Sequence, residues 1–208
     1  MGEAPGWLKR LRGTFVVFDG PDGSGKSTQF ARFAAYCRDH GLSVCDVREP
    51  GGTPIGEAVR AILLDPAHAD MDVRCEMLLY MASRAQLVAQ RLRPALDRGE
   101  VVLADRFISS TLAYQGTAGG MTAESIKAVG AIATSGLWPH CTVIFDVDEA
   151  TAATRLNPLL DRMEQKGAAF HRRVRQGFLD QALASPADHL LIDATAPEEA
   201  VFAELLAT

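Results

Sequence analysis

One run of residues, Gly20-Pro21-Asp22-Gly23-Ser24-Gly25-Lys26-Ser27, constrains this chain more than anything else in it. It fits the pattern G-x-x-x-x-G-K-[ST], and it lies between the apolar stretch Thr14 to Asp19 and residues with helical spacing. A strand that turns on glycines into a helix N-terminus aims several backbone N–H groups and the helix dipole at one point, which favours a polyphosphate there. On this reading Gly20 to Thr28 cradle ATP or a similar nucleotide. Lys26 reaches its terminal phosphates, and the Ser27 hydroxyl holds a magnesium ion.

Four further apolar runs repeat the first: Leu42 to Val47, Val101 to Ala104, Thr142 to Val147, and His189 to Asp193. None alternates polar with apolar residues, so all five read as strands buried on both faces of a parallel sheet. Helical spacing fills the intervals. Phe30, Phe33, Ala34 and Cys37 form one stripe that Gly41 closes. Thr53-Pro54 suits an N-cap and first helical position, ahead of a helix with Ile55, Val59, Ile62 and Leu63 on its inner side. One long helix is expected from Asp72 to Arg98, with Gly99 as its stop, and others near Thr122 to Thr134, Ala168 to Leu183 and Pro197 to Leu206. Strand and helix in alternation imply a three-layer α/β/α domain with a five-stranded parallel sheet, occupying residues 1–208 with 1–13 as an N-terminal extension.

Composition narrows the function classes. Twenty-one Lys and Arg against twenty-six Asp and Glu give a net charge of −5, which argues against a protein that binds nucleic acid non-specifically. Any anion it binds must meet local positive charge. No apolar run approaches the roughly 18 residues a membrane span needs, and Met1 to Gly13 is too polar for a signal peptide. Cys37, Cys45, Cys75 and Cys141 lie far apart in apolar contexts, which reads as buried free thiols in a reducing compartment. A cytoplasmic chain with neither nucleic acid nor membrane as partner is expected.

Phosphate-binding loops serve kinases, GTPases, motors and transport ATPases alike, so the acceptor must be read elsewhere. The Asn-Lys-x-Asp base-reading motif of GTPases is absent from the sequence. Asp105-Arg106 ends the third strand, at the sheet edge where ligands of open parallel sheets collect. Asp105 there can hold magnesium through water, and Arg106 can clamp a second phosphate with its fork of N–H groups. Arg48-Glu49-Pro50-Gly51-Gly52-Thr53 follows the second strand and suits a turn lining the same cleft. Tyr80 and Arg84 stand four apart on one helix face, where they can stack on a base and bond its edge, or form a core-edge tyrosine beside a solvated arginine.

The pieces FVVFDGPDGSGKST, REPGGTPIGEAVR, LLYMASRAQLV, ADRFISSTLAYQG, DRME and LLIDATAP follow one another from residue 14 to 197. In their order and approximate spacing they resemble the bacterial thymidylate kinases, which transfer the γ-phosphoryl of ATP to dTMP. The resemblance implies a P-loop, nucleoside monophosphate kinase-like fold with a short lid at about 155–167, ATP and Mg2+ as cofactors, and a homodimer packed through helices that include the one bearing Arg84. It also implies roles at matching positions. Tyr80 stands where the family has a stacking phenylalanine, and Arg84 where an arginine bonds the base. Arg106 and Arg60 stand where arginines grip the acceptor phosphate, with Asp105 on the magnesium side. Thr111, Tyr114 and Gln115 fall where base and deoxyribose are contacted, and Glu49 and Pro50 belong to the acceptor pocket. Asp22 corresponds to a carboxylate that positions the acceptor through its 3′-hydroxyl.

Two departures from the family pattern stand out. Tyr80 adds a hydroxyl that needs a partner. The lid stretch offers only Arg155 and Arg162, and the loop from Pro21 to Ser24 has no basic residue, so the catalytic arginine is Arg155, Arg162 or one of Arg172, Arg173 and Arg175. Arg155 is the one expected, and the three on the following helix read as a solvated face. Two alternatives stay open: a kinase for another nucleotide or a deoxynucleoside, and a protein that binds ATP as a switch and transfers nothing.

Overall fold

The computed structural model describes residues 5–155 and 161–208. Five strands, β1 (Phe15–Asp19), β2 (Val44–Arg48), β3 (Val101–Asp105), β4 (Cys141–Asp146) and β5 (His189–Asp193), form one parallel sheet in the order β2-β3-β1-β4-β5. Asp105 pairs with Phe18 on one side and Arg48 on the other, so β1, β2 and β3 end level with one another. Strand order reverses at β1, and a crevice opens at the carboxyl ends beside it.

Alternate residues of β1 feed two cores. Val16 and Phe18 pack against Phe33, Cys37, Phe145 and Val201, while Phe15 and Val17 pack against Met77, Leu87, Val102 and Phe107. β1, β3 and the middle of β4 are buried on both faces, as their unbroken apolar runs require. The edge strands differ: Asp46 in β2 and Leu191 in β5 are exposed, because an edge strand has less helix cover.

The helices are α1 (Lys26–Asp39), α2 (Pro54–Leu64), α3 (Val73–Leu87), α4 (Arg93–Asp97), α5 (Ile108–Thr111), α6 (Ala123–Thr134), α7 (Glu149–Arg155), α8 (Ala168–Ala184) and α9 (Glu198–Ala207). The Thr53 hydroxyl accepts from the Gly56 amide and caps α2, with Pro54 at the first position. Several sequence expectations are corrected. The long helix expected from Asp72 to Arg98 runs unbroken from Val73 to Asp97, but widens to a π turn over Val88–Leu92 between α3 and α4, since Pro94 has no N–H to return to the preceding turn. On α2 only Leu63 of the expected inner stripe is fully buried; Ile55 and Ile62 face solvent. Cys75 is exposed and Cys141 half-buried, whereas Cys37 and Cys45 are buried, and all four are free thiols.

Candidate active site

The loop after β1 takes its shape from glycine. Gly20 has φ of 144°, and a Cβ there would meet the Phe145 carbonyl oxygen at 2.5 Å. Gly25, at φ 79°, turns the chain into α1 in a left-handed conformation that other residues adopt at a cost. Lys26 and Ser27 then open the helix, with the Lys26 side chain almost wholly covered. Burial and the nearby Arg106 guanidinium lower the Lys26 pKa, and Asp105, Asp22 and Asp19 oppose them. The Ser24 hydroxyl is buried without a hydrogen-bond partner among the described residues. A polar atom left so inside a glycine-rich loop suits a ligand that supplies the missing partner.

The end of β3 meets this loop. Asp105 accepts a hydrogen bond from the Ser27 hydroxyl at 2.7 Å and lies 4.0 Å from the Lys26 ammonium. Arg106, at φ 73°, folds back over the loop: its guanidinium donates to Asp19 (3.2 Å), the Gly20 carbonyl (3.1 Å) and Ser110 (2.9 Å), and pairs with Asp22. Tyr114 donates its hydroxyl to the other Asp22 oxygen at 2.7 Å. Burial would raise the Asp22 pKa, but Arg106, Lys26 and Tyr114 together hold it below the usual carboxylate range.

A cleft of about 290 Å³ runs from this rim, lined by Asp22, Lys26, Ser27, Asp105 and Arg106 at one end. Glu49, Pro50, Arg60, Tyr80, Thr111, Tyr114 and Gln115 line the rest. The loop after β2, with a cis Glu49–Pro50 peptide, and the helices α2, α3 and α5 thus bring most of the sequence candidates to one cavity. Arg60 donates to the Pro50 carbonyl at 3.0 Å and still faces the cleft.

Arg84 lies immediately behind that wall. It is 1% exposed, so the alternative of a solvated arginine is corrected. Its guanidinium donates to Glu49 Oε2 (2.8 Å from Nε) and to Thr111 Oγ1 (3.2 Å), both of which belong to residues that line the cleft. Glu49 is itself buried, and its second oxygen has no partner among the described residues. Burial pushes its carboxyl up to about 7 despite Arg84.

A second cleft lies on the other side of the loop, lined by Gly23, Gly25, Thr28, Gln29, Arg155, Ala194, Ala196 and Glu198. The Arg155 guanidinium donates to the Ala194 carbonyl at 2.9 Å and stands beside Gly25. The other candidate arginines are engaged elsewhere. Arg162 is buried against Glu76 (2.6 Å) and the Leu63 carbonyl (2.6 Å), Arg175 forks onto Asp146 (2.7 Å for both bonds), and Arg172 pairs with Glu149 (3.3 Å). Of the lid stretch, 156–160 lie outside the described residues.

Sequence reasoning missed two contributors, Asp19 and Glu76. Asp19 is fully buried and collects the Gly20 amide, Ser109, Ser110 and Arg106; its signal was an acid at the end of an apolar strand. Arg48, the first residue of the loop expected to line this cleft, does line it. Glu76 lies one turn before Tyr80 on α3, a spacing that marks a shared face.

A phosphate-binding loop and a second cleft bearing Arg48, Arg60 and Arg106 on one rim of a parallel sheet suit an enzyme of the nucleoside monophosphate kinase class. The thymidylate kinase family model matches residues 18–205. A thymidylate kinase of Deinococcus radiodurans is 50% identical over 200 residues, covering 94% of this chain and 96% of that protein. One from Bifidobacterium longum is 46% identical over 198 residues, covering 94% and 96%. A crystal structure of thymidylate kinase from Ehrlichia chaffeensis superposes with a TM-score of 0.77 at 31% identity, covering 94% of this chain and 97% of that one. The chain belongs to the thymidylate kinase family.

Proposed function

We propose that this enzyme transfers the γ-phosphoryl group of ATP to dTMP, giving dTDP and ADP. One observation carries the reading: Asp105 and Arg106, consecutive in sequence, join the donor loop to the cleft beyond it, Asp105 by its bond from Ser27 and Arg106 by pairing with Asp22 of that loop while lining the same cleft as Arg60 and Tyr80.

ATP fits along the loop, with its base end in the cleft of Thr28, Gln29, Arg155 and Ala196 and its terminal phosphates at Lys26. The fit for Mg2+ is a hard oxygen set, the Ser27 hydroxyl and the Asp105 carboxylate, already in contact at 2.7 Å. With two protein oxygens, the rest of the ion's shell would come from nucleotide phosphates and water. Bound there, it neutralises charge on the donor phosphates.

On the acceptor side, Arg106 and Arg60 hold the dTMP phosphate, Tyr80 stacks on the base, and Thr111 and Gln115 read its edge. Arg84 acts on the base through Thr111 and Glu49. Tyr114 and Asp22 face the sugar. Phosphoryl transfer asks little covalent help of a protein, so alignment and charge neutralisation do the work. Arg155 is the lid arginine assigned to the donor nucleotide.

No described helix is long and apolar enough to cross a membrane, and a cytoplasmic location is part of this reading. A homodimer is supported by apolar side chains left outside: Ile55 and Ile62 on α2, Leu78 on α3 and Ile132 on α6, the last 80% exposed. The test is ADP release with dTMP, dUMP, dCMP and thymidine as acceptors. dTMP is expected to turn over fastest, and faster turnover of thymidine would overturn the assignment.

A further inference from the structure

Glu76 is an ionisable side chain with no solvent exposure, and the phosphoryl-transfer scheme above gives it no task. It lies behind the acceptor cleft with a full set of donors: Arg162 at 2.6 Å, Lys166 at 2.9 Å and the Gln115 amide nitrogen at 2.7 Å. Two of these are cations, more positive charge than a single carboxylate requires for balance. Burial would raise its pKa, but the Lys166, Gln115 and Arg162 contacts hold the carboxyl below the usual range, so it is ionised at neutral pH.

An ionised carboxylate has only acceptor atoms. The amide of Gln115, which could otherwise face either way, must therefore turn its NH2 to Glu76, and its carbonyl oxygen is the end left for the cleft that Gln115 lines. A carbonyl oxygen accepts from a pyrimidine whose N3 carries hydrogen, as in thymine and uracil. Against cytosine, whose N3 is a lone pair, it sets acceptor against acceptor, and a buried polar group left unpaired rejects such an analogue strongly.

We propose that Glu76 is a positioning residue for base specificity: it locks the Gln115 amide in the orientation that selects an N3–H pyrimidine, and Arg162 and Lys166 keep it charged for that task. This rests on the acceptor assignment above, and it extends it to a residue outside the cleft wall.

The test compares kcat/KM for dTMP, dUMP and dCMP in the wild-type enzyme and in Glu76→Gln. A glutamine at 76 can itself donate or accept, which frees Gln115 to flip. The dTMP:dCMP ratio is expected to fall by about tenfold or more, while dTMP:dUMP stays within about twofold, since both of those bases carry N3–H. A general loosening of the cleft would move both ratios together, and that result, or an unchanged dTMP:dCMP ratio in the folded variant, overturns the proposal. Should Glu76→Gln fail to fold, Gln115→Leu removes the oriented group itself: a lowered dTMP:dCMP ratio supports the proposal, and a wild-type ratio overturns it. A wild-type enzyme that turns over no dTMP would strike the acceptor assignment, and this inference with it, whereas normal dTMP turnover with unmoved ratios strikes the inference alone.

Discussion

The Ser27 hydroxyl donates to the Asp105 carboxylate at 2.7 Å, joining the first turn of α1 to the last residue of β3 across 78 positions of sequence. On the proposed reading this oxygen pair would hold the divalent ion of the bound triphosphate, with the Lys26 ammonium 4.0 Å from Asp105. Ser27→Ala removes one of the two oxygens and leaves the fold intact. Its kcat is expected to fall by roughly two orders of magnitude, and its magnesium requirement to rise, in steady-state assays across a Mg2+ titration.

Arg84 and Glu49 form an ion pair with both side chains nearly inaccessible, 1% and 2% exposed. Removing one member of such a pair strands the other charge, so Arg84→Ala should lose about 3 kcal/mol of stability at about pH 8, where Glu49 is ionised. It should also weaken dTMP binding while ATP affinity stays within about threefold, since Thr111 loses its support and the donor cleft does not. Chemical denaturation and nucleotide titrations check both halves.

The same pair makes stability depend on pH. In the fold, burial holds the Glu49 pKa near 7, against 4.5 in its ordinary state. A raised carboxyl pKa favours the native state below 4.5, and that stability is lost as pH rises through about 7. Relative to Glu49→Gln, which does not titrate, the wild-type enzyme should lose on the order of 1–3 kcal/mol between about pH 5 and about pH 8. Parallel stability curves for the two proteins would refute the shift.

Arg155 stands beside the glycine loop and bonds the Ala194 carbonyl, on the donor side of the molecule. Arg155→Ala is therefore expected to raise KM for ATP and lower kcat by about tenfold or more while KM for dTMP changes little. A reversed pattern, with dTMP affected and ATP spared, would move this residue to the acceptor.

Local rules made the frame readable. Five apolar runs became five strands within about two residues, the inner three, β1, β3 and β4, because a strand covered on both faces has little freedom of composition, and Thr53-Pro54 announced α2 through capping chemistry. The glycine loop was legible because the backbone conformation it needs excludes other residues. What stayed hidden depends on tertiary partners. Helix α5 and its π extension over Leu112–Ala118 carry Ser109, Ser110 and Thr111, weak helix formers whose side chains are held instead by Asp19 and Arg84. Arg162 reads from sequence as a lid arginine and Glu76 carries no signal of its own; only the fold brings them within 2.6 Å in the interior. Ile55 and Ile62 kept helical periodicity but point outward, since periodicity locates an apolar face without saying what covers it.

The account turns on two anionic groups meeting between Lys26 and Arg106. The most direct measurement is inhibition by a bisubstrate nucleotide, adenosine joined to thymidine through a polyphosphate chain. It should compete with both ATP and dTMP, and Arg106→Ala should weaken its binding far more than that of ATP alone. Competition with only one of the two substrates would show that donor and acceptor do not share the rim, and would contradict the account.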